Sequence, residues 1–194
     1  MDKQSNKSTS HLSDSTKFQL ERVEEFLLDA SDVKNIQELL CTCFPEYPKN
    51  ATYFTQIPSF RYLAHFDVQL IGHLGVDYRV INNGGQISTA LCISDVCVRE
   101  GFRDQQIASK MLQQLEKDAQ QKEIDFNILI ANDSKIYKHL RYHPCTNQFR
   151  WLMIQKGKSL GVVQRNLGRN AFMIKSISGK KWSDDLIDLL GPIF

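Results

Sequence analysis

No run of apolar residues in this chain is long enough to cross a bilayer, and a signal-peptide core is missing from the stretch Met1 to Thr16. That stretch is rich in Ser, Lys, Asp and Asn, which predicts a disordered tail over residues 1–16. It holds acidic residues and no arginine, so it does not read as an organelle-import segment either. A disulfide framework is also missing. The five cysteines (Cys41, Cys43, Cys92, Cys97 and Cys145) are odd in number and form no C-x-x-C unit, so a reducing, cytoplasmic setting without membrane contact is the expectation. Excess charge is small. Lys plus Arg number 24 against 22 Asp plus Glu, too even a balance to argue for nucleic acid. Between Lys156 and Ser183 there are seven basic residues and no acidic one, but aromatic residues are too sparse there for a nucleic-acid surface. His139, His143 and Cys145 have ligand-like spacing without a complementary cluster, and no metal is expected. There is no internal repeat and no second-domain linker, which leaves residues 17–194 as one expected domain.

The segments that are present read as a mixture of strands and helices. "FQLERVEEFLL" suits a strand with an irregularity or a short helix, and a first strand is the expectation. "DASDVKNIQELLCTCF" places Val33, Ile36, Leu39, Leu40 and Cys43 on one helical face, with Ser31 or Asp32 as the cap. Pro45 and Pro48 then interrupt the pattern. Extended runs follow at Phe60 to Phe66 and Gln69 to Ile81, and the "NNGG" turn returns the chain along Gln86 to Val98, which makes an antiparallel meander. Ile107, Ala108, Met111, Leu112, Leu115 and Ala119 form a helical stripe, and "IDFNILIAND" has the density of a buried parallel strand. A short helix from Ser134 to Tyr142 and strands at Phe149 to Ile154 and Ala171 to Ile177 complete the pattern. The fold class expected is α/β (α+β), a mixed sheet with a meander and one central βαβ unit.

The junction "VCVREGFRDQQIASKMLQQLE" joins a strand to that helix through a loop with no catalytic Ser or His. Free N–H groups at the helix start, around Asp104 to Ala108, could hold a pyrophosphate; a plain βα connection would look the same. Here the chain resembles the GNAT acetyltransferases, whose signature is Arg or Gln, two residues, Gly, one residue, then Gly or Ala. "RDQQIA" matches at Arg103 and Ala108 and has Gln106 in place of the glycine. "NDSKIYKHLRYHP" is similar to a second family region and keeps Asn132 and Tyr137, with Arg141 and Tyr142 replacing a Gly-Phe pair. The wording of the meander and of "WSDDLIDLLGPIF" looks most like nodulation-type acyltransferases and aminoglycoside acetyltransferases.

The resemblance implies a V between splayed parallel strands that takes acetyl-CoA, with Val96, Cys97 and Val98 along its arm. Arg103, Asp104, Gln105, Gln106, Ile107 and Ala108 would hold its pyrophosphate, and Asn132 would lie beside it. Tyr137 stands where the family places the acid that protonates the thiolate, and Asp95 where many members carry an acidic residue or histidine that can act as base. Each has a plainer reading, ring packing for Tyr137 and a hydrogen bond within the sheet for Asp95. His73 and Asp77 share a strand face by their spacing of four and are candidates for the acceptor side. The apolar segment Trp182 to Phe194 should pack, with Trp182 as a candidate acceptor wall. The function implied is an N-acetyltransferase acting on a small-molecule amine, with a homodimer compatible. The alternative is a noncatalytic acyl-CoA sensor or interaction module of the same fold.

Overall fold

Alternation, helical period and turn chemistry act locally, and most of the elements they predict are present. The computed structural model describes residues 17–131, 133–167 and 172–194, so the expected tail 1–16 lies outside the described residues. Strand β1 (Phe18–Glu24) runs into one 3₁₀ turn at Glu25–Leu27, which accounts for the irregular apolar spacing of its segment. Helix α1 (Ala30–Cys43) starts earlier than expected. Its cap is Asp29, whose side chain accepts the Asp32 N–H at 2.8 Å while the Asp32 carboxylate accepts the Asp29 N–H at 3.3 Å. That reciprocal pair satisfies two otherwise free donors, which neither Ser31 nor Asp32 does as a cap.

Strands β2 (Phe60–Phe66), β3 (Gln69–Asn83) and β4 (Gln86–Val98) form the meander, with Gly84 and Gly85 at positive φ in the tight turn. Helix α2 (Ile107–Gln121) crosses to β5 (Phe126–Ile130), which lies parallel to β4. Helix α3 (Lys135–His139) is followed by β6 (His143–Pro144), β7 (Gln148–Gln155), β8 (Lys158–Asn166), β9 (Phe172–Ser176) and β10 (Ile187–Pro192). All ten strands join one mixed sheet, ordered β6-β9-β5-β4-β3-β10-β7-β8, with β2 on the early half of β3 and β1 outside it. Long β3 is the hub. One of its edges pairs with β4 throughout, while the other is shared between β2, as far as Val76, and β10, from Asn82.

The two longer helices cover opposite faces. Ile36, Leu39 and Leu40 of α1 pack on Leu63, Leu70 and Cys97, whereas Ile107, Met111 and Leu115 of α2 pack on Tyr62, Ala64 and Leu74. Alternate residues of β2 therefore face different helices. Gly72 lets α2 approach closely, since a Cβ there would stand 3.0 Å from Ile107 Cγ2. A further cluster under the C-terminal strands holds Phe126, Phe149, Phe172, Ile187 and Leu189. Among the described residues no helix is long and apolar enough to cross a membrane.

Candidate active site

The parallel strands β4 and β5 pair only from Ala90 with Phe126 to Ile93 with Leu129. Beyond that point β4 bulges. Ser94 faces Gly75 and Cys97 faces His73, so Asp95 and Val96 together oppose the single residue Leu74. Asp95 takes the left-handed conformation, φ 52°, which aspartate tolerates better than most residues because its short side chain bonds locally. An extra residue bends a strand, and here the bend parts β4 from β5 and opens a V. The resulting cleft of about 710 Å³ is lined by Ser94 to Val98 on one wall, by Leu129 to Ala131, Ile136 and Tyr137 on the other, and by the start of α2 at its end.

The loop into α2 is shaped for close approach. Arg103, Asp104, Gln106, Ile107, Ala108 and Ser109 line the cleft; Gln105 does not, and its amide donates to the Gly101 carbonyl at 3.3 Å. The first N–H groups of any α-helix lack partners within the helix, and Ile107, Ala108 and Ser109 bring theirs to this wall. Gln106, at the position of the signature glycine, has φ 60°. Glycine reaches that conformation without penalty, whereas an L side chain pays about 1 kcal/mol. Asn132 lies outside the described residues.

A second pocket, about 340 Å³, adjoins the first and shares Phe44, Ile93, Ser94, Asp95 and Ile130 with it. Asp77, Phe54, Thr55, Gln56, Ile193 and Phe194 complete its lining. Asp95 thus stands where the two spaces meet. Its carboxylate accepts the Tyr47 hydroxyl at 2.7 Å, and burial holds its pKa above the ordinary carboxylate range, with the Tyr47 bond and the Arg61 charge acting the other way. Tyr137 lines the first cleft, edge-to-face on Tyr142, and burial, then the Asp133 charge, pushes its phenol up to about 12. It is protonated throughout the neutral range.

His73 lines neither space. It is fully buried beneath the bulge, where Nδ1–H donates to the Asp95 carbonyl at 2.9 Å and Nε2 accepts from Arg61 at 2.8 Å. Burial, then the Arg61 charge, drops its pKa to about 3, so it is neutral in that arrangement. Arg61, itself fully buried, is held by both carboxylate oxygens of Glu25 at 2.5 and 2.9 Å. His73 therefore braces the bulge from within the sheet. Trp182 also lies away from the cleft, edge-to-face on Phe126 with its indole N–H on Asn147 at 3.0 Å. Asp77 does reach the second pocket, where Arg79 pairs with it at 2.9 Å and ties the Pro192 carbonyl at 2.6 Å, fastening the C-terminal segment that carries Phe194. Tyr47, Phe44 and Phe54 were not singled out by sequence. They sit in an irregular, proline-interrupted stretch whose only signal was its aromatic content. Among the described residues no three His, Cys, Asp or Glu side chains gather as a metal site.

A bulged strand, a V beside it and a helix start at its end define an acyl-CoA-binding mixed fold, and the comparisons agree. The acetyltransferase (GNAT) domain model matches residues 27–145, more than half of the chain, and the protein belongs to this family of acyl-CoA N-acetyltransferases. Among solved structures, the GNAT family N-acetyltransferase YhbS from Escherichia coli in complex with CoA is similar at 12% identity and a TM-score of 0.61, with 92% of this chain and 93% of that one covered. ElaA from Escherichia coli is similar at 14% identity and a TM-score of 0.55, with 82% and 99% covered. A probable N-acyltransferase from Enterococcus faecalis V583 (14% identity, TM-score 0.59) aligns over 68% of this chain, which spans only 33% of that protein. At such identities the likeness is one of fold. No curated protein matches the chain.

Proposed function

We propose that the protein is a CoA-dependent N-acetyltransferase that moves the acetyl group of acetyl-CoA directly to an amine of a small molecule. The observation that carries the reading is the wall that the two spaces share, with Asp95 in it and Tyr137 elsewhere in the lining of the first. The free N–H groups of Ile107, Ala108 and Ser109, with Arg103, would hold the pyrophosphate. The edge of β4 at Val96 and Cys97, unpaired on the cleft side, would hold the pantetheine arm, and Asn132 would add a contact by its place in the second motif. The Val98 carbonyl already accepts from Arg103 Nε at 3.3 Å.

Bound acetyl-CoA supplies the thioester that the amine attacks. The protein's own residues position the reactants, orient the amine from the second pocket and move two protons. Asp95 takes the ammonium proton, directly or through water, and its burial makes it a stronger base than an exposed carboxylate. Tyr137 donates to the departing sulfur; with its pKa raised to about 12 the phenol is protonated at neutral pH and stands ready as the hydrogen-bond and proton donor there. Asp95 gives the acceptor pocket a carboxylate that a cationic amine would seek, while the Asp77 charge is already met by Arg79. The domain reading 17–194, the cytoplasmic setting and a small-molecule acceptor belong to the same proposal.

The test is calorimetry with acetyl-CoA followed by a thiol-release assay over a panel of amines. Saturable binding with release for one amine class supports the reading, and absence of binding ends it. Gln106 favours one second reading, a noncatalytic acyl-CoA sensor, because its side chain stands at the left-handed position beside the pyrophosphate wall. Binding without release for any amine would select that reading.

A further inference from the structure

Two of the cysteines line the same cleft: Cys43, the last residue of α1, and Cys97 on β4. Their side chains lie in one corner of the wall, since Cys97 belongs to the buried cluster against which Cys43 packs. Cys43 Sγ lies 3.7 Å from the Val98 carbonyl, the same oxygen that accepts Arg103 Nε–H at 3.3 Å. A thiol and a guanidinium therefore share one acceptor. Arg99 adds a second cation to this corner, partly offset by Glu38 at 3.9 Å from its Nη2.

The two sulfurs are not equivalent. The neighbouring Cys97 thiol, then the Arg103 guanidinium and the charge of Arg99, bring Cys43 down to about 7 against the opposing effect of burial. The C-terminal end of α1 also disfavours a negative charge there, and the guanidiniums act against it. Cys97 is held well above the usual thiol range by the neighbouring Cys43 and by burial. No other described cysteine lines the cleft: Cys41 faces the Pro48 carbonyl, Cys92 is fully buried, and Cys145 packs on the cluster under the C-terminal strands.

We propose that Cys43 and Cys97 form an oxidisable thiol pair in the cleft wall, converted by hydroperoxides to an intramolecular disulfide. The Cys43 thiolate attacks one peroxide oxygen; the O–O bond breaks, the far oxygen leaves with a proton as water, and Cys43 becomes a sulfenic acid. The Cys97 thiol then attacks that sulfur. The S–S bond forms, the S–O bond breaks, and the hydroxide leaves as water with the Cys97 proton. Two thiols lose two electrons and two protons in all, and hydrogen peroxide becomes two waters.

The full chain, reduced and freed of reductant, is treated with hydrogen peroxide at pH 7 and followed by intact mass and peptide mapping. The expected result is a loss of about 2 Da and a peptide joining Cys43 to Cys97, with Cys43 reacting about three- to fourfold faster than an ordinary thiol once its lower nucleophilicity is set against its larger thiolate fraction. Cys97→Ser should stop at the sulfenic acid, trapped on Cys43 by dimedone. Should that variant fail to fold, the mapping of the parent protein decides alone. No mass loss, a bridge to Cys41 identified by fragment ions, or a sulfinic acid at Cys43 without a bridge would each overturn the proposal. Acetyl-CoA, which carries no free thiol, should slow bridge formation several-fold; this expectation rests on the acyl-CoA reading of the cleft. Acetyl-CoA that binds the reduced protein without slowing the reaction overturns the placement of the pair along the cofactor's path. If calorimetry shows no binding to the reduced protein, the acyl-CoA reading fails, while the mapped peptide still judges the thiol pair.

Discussion

The first cleft and the second pocket share a wall at Asp95 but are built in different ways. The first is assembled from four short stretches of chain: the end of α1, the bulged end of β4, the start of α2 with the loop before it, and the end of β5 with the start of α3. The second gathers Phe44, Phe54 to Gln56, Asp77 and the last two residues of the chain, side chains from elements far apart in sequence. Backbone does much of the work in one and side chains do it in the other. A space formed by strand splay and a helix terminus suits a constant ligand, because backbone geometry survives changes of side chain. A space formed by side chains such as Phe54, which is 63% exposed, can change its preference with few substitutions. Under the proposed function, the first space would take the cofactor and the second the acceptor.

Substitutions can break the contrast. The largest effect is expected at the shared wall: Asp95→Asn should lower kcat/KM by about 10²- to 10⁴-fold with the acetyl-CoA Kd nearly unchanged, measured by thiol release and calorimetry. Tyr137→Phe should lower kcat by about 10- to 100-fold, again with acetyl-CoA affinity retained, since it removes a donor and little packing area. If both variants turn over like the parent, the shared wall has no catalytic role. Ala108→Phe places bulk at the helix start and should weaken acetyl-CoA by about tenfold or more, as read by calorimetry. Phe54→Ala should do the converse, raising the acceptor KM by about tenfold with the cofactor Kd within error. A change in acetyl-CoA affinity alone in that variant would dissolve the division between the two spaces.

The smallest effect is a pH shift. Asp95 acts as base only when ionised, so kcat/KM should rise as pH climbs through its elevated pKa, above the ordinary carboxylate value of 3.8. The Tyr47 bond lowers that pKa, so Tyr47→Phe should carry the acid limb to higher pH. A limb that stays in place would show that Asp95 is not the titrating base.

Where the sequence signal was local, the elements were legible. The limits of β2 and β4, the "NNGG" turn and the apolar stripe of α2 follow from side-chain period and turn chemistry, which act between near neighbours. The cofactor wall was legible for the same reason, because Val96 to Ala108 is one continuous stretch. β8 was not foreseen: most of its residues are exposed, and its polar sequence is strand only because it pairs with β7. Nor was β10. Its apolar content said that it should pack, but its insertion between β3 and β7 depends on an edge of β3 left open beyond Val76. Truncating Trp182 to Phe194 would therefore remove core, with Ile187 and Leu189 fully buried, along with the wall formed by Ile193 and Phe194.

Composition and period thus determined the class of fold, the crossover from β4 through α2 to β5, and the stretch from which a phosphate-binding helix start would come. Tertiary structure decided the rest of the site. It turned Tyr47 toward Asp95 from a stretch with no periodic signal, and it placed Gln106 at φ 60°, where the signature residue is glycine. It also put His73 under the bulge and not in the acceptor pocket, because Arg61, anchored by Glu25, needs an acceptor inside the sheet. A periodic pattern reports which face of an element is apolar. It carries no record of which distant side chain a polar group will meet, because that choice is made only when separate elements pack and every buried donor must find its partner.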